Sequence, residues 1–341
     1  MGDPLIVSDG GGVRGLSSLL LLQNLMKRID PVSPPKLCEI FDMIGGTSTG
    51  GLIAIMLGRL QMDIESCIAA YRQLSDVVFR KVAHRISIKG MGVTQGRFDA
   101  HALENAIKEI ISLAKLDPNV RLMEQTTPGC KVFVCATRAE NRDITRLRSY
   151  YSIRDSNPEV TIWEAGRATS AATTFFDPIE IGEYKERFMD GATGANNPVR
   201  EVWTEAKDMW PNGLLDENLN CMVSIGTGKQ SLKAFGSFPQ EIVRSLTDIA
   251  VETEPTAEIF LREHRDLASA HRYYRFNVDQ GLEDIGLEES ARMAQMVAAT
   301  RRYTEQQTVL DAILGCAQTI LTRERSSSFS SIETNGRMDV L

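Results

Sequence analysis

The stretch FDMIGGTSTGGL, residues 41–52, predicts a strand, a tight turn and the start of a helix. Phe41–Ile44 is apolar enough for a short buried strand, and Leu52–Leu60 predicts a buried helix. A similar unit precedes it, because the apolar run Leu5–Ser8 leads through a glycine-rich turn into a helical pattern over Leu16–Ile29. Strands that alternate with helices in this way are typical of an α/β fold.

The alternation continues along the rest of the chain. Further strands are predicted at Lys131–Ala136, Asp143–Ser149, Arg187–Met189, Asn220–Ile225 and Tyr273–Val278, and further helices at Asp63–Phe79, Asp99–Leu113, Ile162–Thr173, Asn197–Met209, 237–266 and 288–324. We therefore expect a three-layer α/β/α fold with a mostly parallel central sheet. No break divides the chain, so one domain is expected over residues 1–325, followed by a polar, disordered tail over 326–341.

Composition narrows the classes of function. The 341 residues carry a net charge of −7, which argues against nucleic acid as a partner. The six cysteines lack CxxC pairs, so free thiols in a reducing, cytoplasmic setting are expected. No signal peptide opens the chain and its longest apolar runs are too short to span a bilayer, so any membrane contact is expected to be peripheral.

The turn in the opening stretch has the pattern of a nucleophile elbow. Residues 46–50, GTSTG, match GxSxG, in which a sharp turn between strand and helix exposes a serine. Gly46 and Gly50 are needed because side chains two places either side of Ser48 would collide in that turn. The N-terminus of the following helix favours negative charge developing at the serine. Ser48 is therefore the candidate nucleophile.

The first glycine-rich turn, residues 9–15 (DGGGVRG), also matches the GxGxxG pattern of dinucleotide sites. Such a site would need an acidic residue at the end of a second strand about twenty positions on, where this chain breaks a helix instead. A P-loop is excluded because neither glycine loop ends in Gly-Lys-Ser/Thr. Bare amides at Gly10, Gly11 and Gly12 would instead suit an oxyanion hole. A tight turn without a ligand remains the alternative.

A serine nucleophile needs a base, and Asp190 is better placed for this than any histidine. None of the four histidines follows an apolar strand in a turn with glycine. Asp190 ends an apolar run, and Gly191 allows the chain to turn there. A carboxylate in a dry site gains basicity and could take the serine proton directly. The alternative is an ordinary Asp-Gly turn.

Together the three motifs resemble the patatin-like phospholipase family. DGGGxRG, GTSTGG and DGA occur in that family's order, and the resemblance extends from Pro4 to Ile320. It also takes in residues 165–172, 196–198 and 224–228. The resemblance implies calcium-independent hydrolysis of fatty-acyl esters of membrane or aggregated lipids, without metal or cofactor. The stretch Phe41–Gly51 looks most like the patatin domains of fungal multidomain proteins, which implies additional domains in the native chain.

The resemblance also assigns residue roles. Ser48 would be the nucleophile and Asp190 the base of a dyad that uses no histidine, and Gly10, Gly11 and Gly12 would be the oxyanion donors. Arg14 would brace the glycine loop or meet a lipid head group. The remaining supporting residues are Gly15, Gly46, Gly50 and Gly191. Ala192 stands where some members have glycine, a variation that the family tolerates.

Two other classes of function remain open on sequence grounds. One is a serine esterase that acts on soluble esters with a histidine base. The other is a catalytically silent lipid-binding or partner-binding module of a larger protein. A nucleotide-binding role ranks lowest, for the reasons given for the glycine loops.

Overall fold

One mixed sheet forms the centre of the molecule. The computed structural model describes residues 4–79, 98–123, 129–155, 158–172, 175–210, 215, 218–229 and 253–335, with side chains as far as residue 322. Within these ranges the strands are β1 (Leu5–Ser8), β2 (Met43–Thr47), β3 (Lys131–Arg138), β4 (Ile144–Arg148), β5 (Ile179–Ile181), β6 (Glu186–Asp190), β7 (Met222–Ile225) and β8 (Tyr273–Phe276).

The strand pairings make the sheet mostly parallel. The pairing path runs β5-β6-β3-β2-β1-β7-β8, and β4 also pairs with β3. Neighbours from β3 through β2, β1 and β7 to β8 are parallel. β4, β5 and β6 add antiparallel pairs at the other end. The sheet therefore has the parallel centre predicted from the alternation of strands and helices.

Helices cover both faces of the sheet. They are α1 (Gly15–Ile29), α2 (Leu37–Ile40), α3 (Thr49–Ala54), α4 (Ile64–Val78), α5 (Ala100–Leu113), α6 (Ile162–Thr169), α7 (Ala192–Ala195), α8 (Val199–Met209), α9 (Glu254–Glu263), α10 (Arg265–Ser269), α11 (Met293–Thr304) and α12 (Gln307–Asn335), with 3₁₀ turns at Gly12–Arg14 and Ser290–Arg292 and a π-helical turn at Ile55–Arg59. Part of the helix predicted at 237–266 lies outside the described residues.

Alternate residues of the central strands pack into two hydrophobic cores, one on each face of the sheet. Ile6 of β1 packs into the core formed with α1, α3 to α6, α11 and α12. Its neighbours Leu5 and Val7 pack into the core formed with α8 to α10 on the opposite face. Successive side chains of a strand point to opposite faces, so this division is what a sheet buried on both sides requires. The predicted three-layer α/β/α fold is confirmed.

The start of β2 differs from the prediction. β2 begins at Met43 and includes the glycine pair 45–46, because Phe41 ends the short helix α2. Glycine is required at position 45 although it lies in the middle of a strand. A Cβ there would lie 2.5 Å from the Val202 side chain on α8 and 2.6 Å from the Phe133 ring on β3. The glycine thus lets α8 approach the sheet closely.

The C-terminal helix also differs from the prediction. α12 continues to Asn335, through the serine-rich run at 326–331 for which a disordered tail was predicted. A helix that has already formed propagates with one hydrogen bond gained for each residue fixed, so a polar extension can continue it. The domain boundary placed at residue 325 stays a prediction.

Candidate active site

Pairing with β3 brings the C-terminal ends of β2 and β6 next to each other. Thr47, the last residue of β2, pairs with Cys135, and Asp190, the last residue of β6, pairs with the next residue, Ala136. β4 pairs with both Cys135 and Ala136, so it occupies the opposite edge of β3. β2 and β6 therefore share one edge, and Ser48 emerges beside Asp190.

Ser48 lies on a strained turn between β2 and α3. Its backbone has φ 54° and ψ −123°, a conformation that non-glycine residues rarely adopt. The flanking glycines make the turn possible: a Cβ at Gly46 would overlap the carbonyl oxygen of Gly50, and one at Gly50 would overlap that of Ser8. This is the tight geometry for which the sequence predicted both glycines.

The hydroxyl of Ser48 contacts the carboxylate of Asp190. Ser48 Oγ donates to Asp190 Oδ2 at 2.7 Å, and Ala192 N–H donates to Asp190 Oδ1 at 2.8 Å. Gly191 is needed in this turn, since a Cβ there would lie 2.6 Å from the carbonyl oxygen of Cys135. The carboxylate is thus held at both oxygens, with one directed at the serine.

Burial makes Asp190 an unusually basic carboxylate. The residue is 4% exposed, and this desolvation raises its pKa from 3.8 to about 7, although the hydrogen bonds from Ser48 and the Ala192 amide lower it. A carboxylate with a pKa near neutrality is well matched to proton transfer at physiological pH. The arrangement can therefore accept a proton from Ser48 without a histidine.

The sequence did not reveal that the C-terminal end of α6 and the residues after it anchor both groups. Thr169 Oγ1 accepts from Ser48 N–H at 2.8 Å and donates to the carbonyl oxygen of Cys135 at 2.6 Å. Two residues later, the carbonyl oxygen of Ala171 accepts from Asp190 N–H at 3.0 Å. The sequence showed this block only as part of the family resemblance, and the one signal for its role is a hydroxyl residue among small apolar ones.

The glycine loop lies against Ser48, but its three amides are not equivalent. Gly10 N–H donates to the carbonyl oxygen of Asn196 at 3.0 Å, so it is not available to an oxyanion. In the described part of the chain, the N–H groups of Gly11 and Gly12 have no hydrogen-bond acceptor. Gly12 has φ +55°, which favours glycine there. Of the three predicted donors, Gly11 and Gly12 therefore stay as predictions, while the Gly10 amide is already bonded to Asn196.

Neighbouring side chains fix the far end of the glycine loop. The carbonyl oxygen of Gly12 accepts from Thr49 Oγ1 at 3.0 Å and from the hydroxyl of Tyr71. Gly15 allows this approach, because a Cβ there would overlap the side chain of Thr49. Arg14 is 2% exposed, so its buried side chain fits the bracing role rather than contact with a lipid head group in solvent.

An apolar pocket opens beside the serine and the glycine loop. Its empty space, including the open mouth, is about 640 Å³. Ser48, Asp190, Gly11 and Gly12 lie along its wall. The rest of the lining is mainly aliphatic and aromatic: Leu52, Leu74, Val78, Leu103 and Leu287, with Phe79, Phe175 and Phe176. Such a pocket suits a hydrocarbon chain.

Histidine is absent from the described lining of this pocket. The His101 side chain is 87% exposed, and the His264 ring packs against Trp203 and Phe260 in the core on the α8 face of the sheet. His84 lies outside the described residues. Across those same residues, no group of three or more His, Cys, Asp or Glu side chains could hold a metal ion. None of the helices that the structure describes has the length and apolar character needed to cross a bilayer.

Comparison with known proteins gives a consistent result. The sequence signature described as patatin-like phospholipase matches residues 6–203, more than half of the 341 residues. Calcium-independent phospholipase A2-gamma of Rattus norvegicus is 28% identical over 336 residues, which cover 95% of this chain and 41% of the relative. Phospholipase A I of Arabidopsis thaliana is 27% identical over 284 residues, which cover 66% of this chain and 20% of the relative.

The similarities have two limits. The chain spans about 40% of the length of the calcium-independent phospholipase A2-gamma relatives, since the shares run from 37% to 41%. Among solved structures, VipD from Legionella pneumophila aligns with 89% of this chain and 67% of its own, at a TM-score of 0.35 and 12% identity. That likeness is too low to support any argument about the fold.

Proposed function

Because the chain belongs to the patatin-like phospholipase family, we propose that it hydrolyses fatty-acyl esters of lipids through a Ser48–Asp190 dyad. The observation that carries the proposal is the 2.7 Å hydrogen bond from Ser48 Oγ to the buried Asp190 carboxylate, at the wall of an apolar pocket. A nucleophile in contact with its base is the geometry that covalent acyl transfer requires.

Acylation follows from the positions of these groups. Asp190 takes the proton of Ser48 as Oγ attacks the ester carbonyl carbon, and the carbonyl π electrons move onto its oxygen. The N–H groups of Gly11 and Gly12 stabilise that oxyanion. When the tetrahedral intermediate collapses, the bond to the leaving alcohol breaks and Asp190 returns the proton to the alcohol oxygen, leaving an acyl-serine.

Deacylation uses the same groups in reverse roles. Water enters the position vacated by the alcohol, and Asp190 takes its proton as the water oxygen attacks the acyl-serine carbonyl. The oxyanion again faces the glycine amides, and collapse breaks the bond to Ser48 Oγ, which regains the proton. The products are a fatty acid and the free enzyme, and no step requires a metal ion or a histidine.

The pocket supports a lipid as the acyl donor. A hydrocarbon chain would contact Leu74, Val78 and Phe176 while its ester carbonyl lies between Ser48 and the glycine amides. We further propose that the protein reaches its substrate by peripheral contact with a cytoplasmic membrane surface or lipid aggregate. Additional domains in the native chain, as its longer relatives suggest, would guide that contact.

Fatty-acid release from lipid vesicles tests the proposed function. Vesicles of phospholipid, galactolipid or triglyceride are incubated with the protein, with and without a calcium chelator. We expect fatty acid from at least one lipid, at a rate that the chelator leaves unchanged. A protein that releases none from any lipid, or that hydrolyses only soluble esters, would contradict the proposal.

The pH dependence of kcat/KM tests the role of Asp190 as base. The proton acceptor must be ionised, and the folded-state pKa of Asp190 is about 7. On a soluble ester we therefore expect kcat/KM to rise with pH through about 7 and to fall about tenfold per pH unit below it. A profile that stays flat from pH 5 to 8 would show that this carboxylate is not the base.

A further inference from the structure

The loop that follows β7 packs against the glycine loop. Residues 224–228, SIGTG, belong to the resemblance noted in the sequence but have no part in the mechanism described so far. Thr227 is 2% exposed, and its Oγ1 donates to the carbonyl oxygen of Gly10 at 3.0 Å. A Cβ at Gly11 would overlap the Thr227 side chain, so that side chain lies flat against the glycine backbone.

The hydrogen bond to Gly10 also sets the direction of the next amide. In a planar trans peptide, the carbonyl of Gly10 and the N–H of Gly11 point in opposite directions within one plane. Fixing the carbonyl on the Thr227 side therefore turns the Gly11 N–H away from Thr227. Gly11 lines the pocket with Ser48, and its N–H has no acceptor among the described residues.

We propose that Thr227 is a positioning residue, which holds the Gly11 amide in the orientation needed to stabilise the oxyanion. The inference rests on the proposed hydrolase function. Thr227 does not touch the reacting atoms, since it acts through the peptide unit between Gly10 and Gly11. The Gly12 amide is held in a parallel way, because the carbonyl oxygen of Gly11 accepts from Arg14 N–H at 3.2 Å.

A largely buried polar network holds Gly228, the residue that follows Thr227. Gly228 N–H donates to Asn277 Oδ1 at 2.6 Å, and Asn277 Nδ2 donates to Glu254 Oε1 at 2.8 Å. Arg275 binds both Glu254, at 2.8 Å, and the fully buried Asp9, at 2.6 Å. Asp9 directly precedes Gly10, and Gly228 directly follows Thr227. The network therefore ties together the two chain segments joined by the hydrogen bond from Thr227 to Gly10, and it restricts the movement of Thr227 away from the glycine loop.

Substitutions at Thr227 test the inference. Thr227→Val keeps the size of the side chain but cannot hydrogen-bond to Gly10. We expect kcat on a soluble ester to fall about 10- to 100-fold with KM within about threefold, less than the 100- to 1,000-fold typical of losing a donor outright. Thr227→Ser keeps the hydroxyl and is expected to stay within about threefold of wild type. The rate of labelling by a fluorophosphonate should fall in parallel with kcat.

The control is Thr300→Val, because the Thr300 hydroxyl is equally buried and bonds to Met296 and Ser17, and none of these three residues lines the pocket. It should lower the thermal midpoint but not kcat. If Thr227→Val fails to fold, Thr227→Ala must show the same loss of kcat. Wild-type kcat in a folded variant without the hydroxyl, or equal loss in Thr227→Ser, overturns the inference. Full activity in Ser48→Ala would instead overturn the proposed function.

Discussion

Replacing Ser48 with alanine will lower kcat for acyl-ester hydrolysis by at least about 10³-fold and leave the fold intact. The variant lacks the only atom that this account allows to form the acyl intermediate. The oxyanion amides remain, so a trace of hydrolysis above the uncatalysed rate is expected. Initial rates on a soluble ester and on vesicles, measured beside thermal unfolding, check both parts.

A matched control separates loss of the nucleophile from loss of any buried serine. Ser149 is buried at the end of β4, and its Oγ accepts from Val132 N–H, outside the pocket. Ser149→Ala should retain kcat within about threefold even if it unfolds at a lower temperature. Wild-type activity in Ser48→Ala would exclude the proposed nucleophile.

Replacing Asp190 with asparagine has the second large effect, a loss of about 10⁴-fold in kcat. Asparagine has the shape of aspartate and can still hydrogen-bond to Ser48, but it cannot accept the proton. The four histidines provide the comparison, and replacing each in turn should leave kcat within about threefold. A histidine variant as inactive as Asp190→Asn would favour the alternative esterase mechanism.

The same substitution should stabilise the protein at alkaline pH. Because burial raises the folded-state pKa of Asp190 to about 7, the fold favours the neutral carboxyl. The stabilising contribution of the neutral Asp190 carboxyl to the free energy of unfolding is complete below the ordinary pKa of 3.8. It declines as the pH rises above that value and is lost once the pH passes about 7. Asparagine stays neutral throughout, so Asp190→Asn should raise the free energy of unfolding at pH 8 by up to about 4 kcal/mol.

Denaturant unfolding at pH 4 and pH 8 measures this gain. The two proteins should differ little at pH 4 and most at pH 8. A variant with less activity but more stability identifies a residue kept for function at a cost to the fold. Equal destabilisation at both pH values would instead mean that Asp190 serves mainly to hold the turn.

Local pattern predicted the strand–turn–helix units because their causes are local. Leu5–Ser8 is a strand with the predicted bounds, and Asp63 and Asp99 are N-caps at the predicted starts of α4 and α5. The elbow at Ser48 could likewise be predicted, because one of the collisions that require glycine, between a Cβ at Gly46 and the carbonyl oxygen of Gly50, involves residues only four positions apart.

Very short elements and contacts between distant parts of the chain could not be predicted from local sequence pattern. Neither β5 nor α2 was predicted, because each is only three or four residues long. Such a segment is too short to show the hydrophobic periodicity of a strand or a helix. The shared edge of β3 depends on the pairing of Ala136 with Asp190, far along the chain. The hydrogen bonds from Thr169 to Cys135 and from Thr227 to Gly10 also join residues far apart in sequence, with separations of 34 and 217 residues. Gly10 appeared equivalent to its neighbours in sequence, and only its bond to Asn196 separates them.

The central claim is that Ser48 becomes covalently acylated with Asp190 as its base. Peptide mapping by mass spectrometry after treatment with a fluorophosphonate tests it most directly. The account predicts one label per chain, on Ser48, that appears at least about 100-fold more slowly in Asp190→Asn. An active protein that carries the label on another residue, or on Ser48 at the same rate in both proteins, would contradict it.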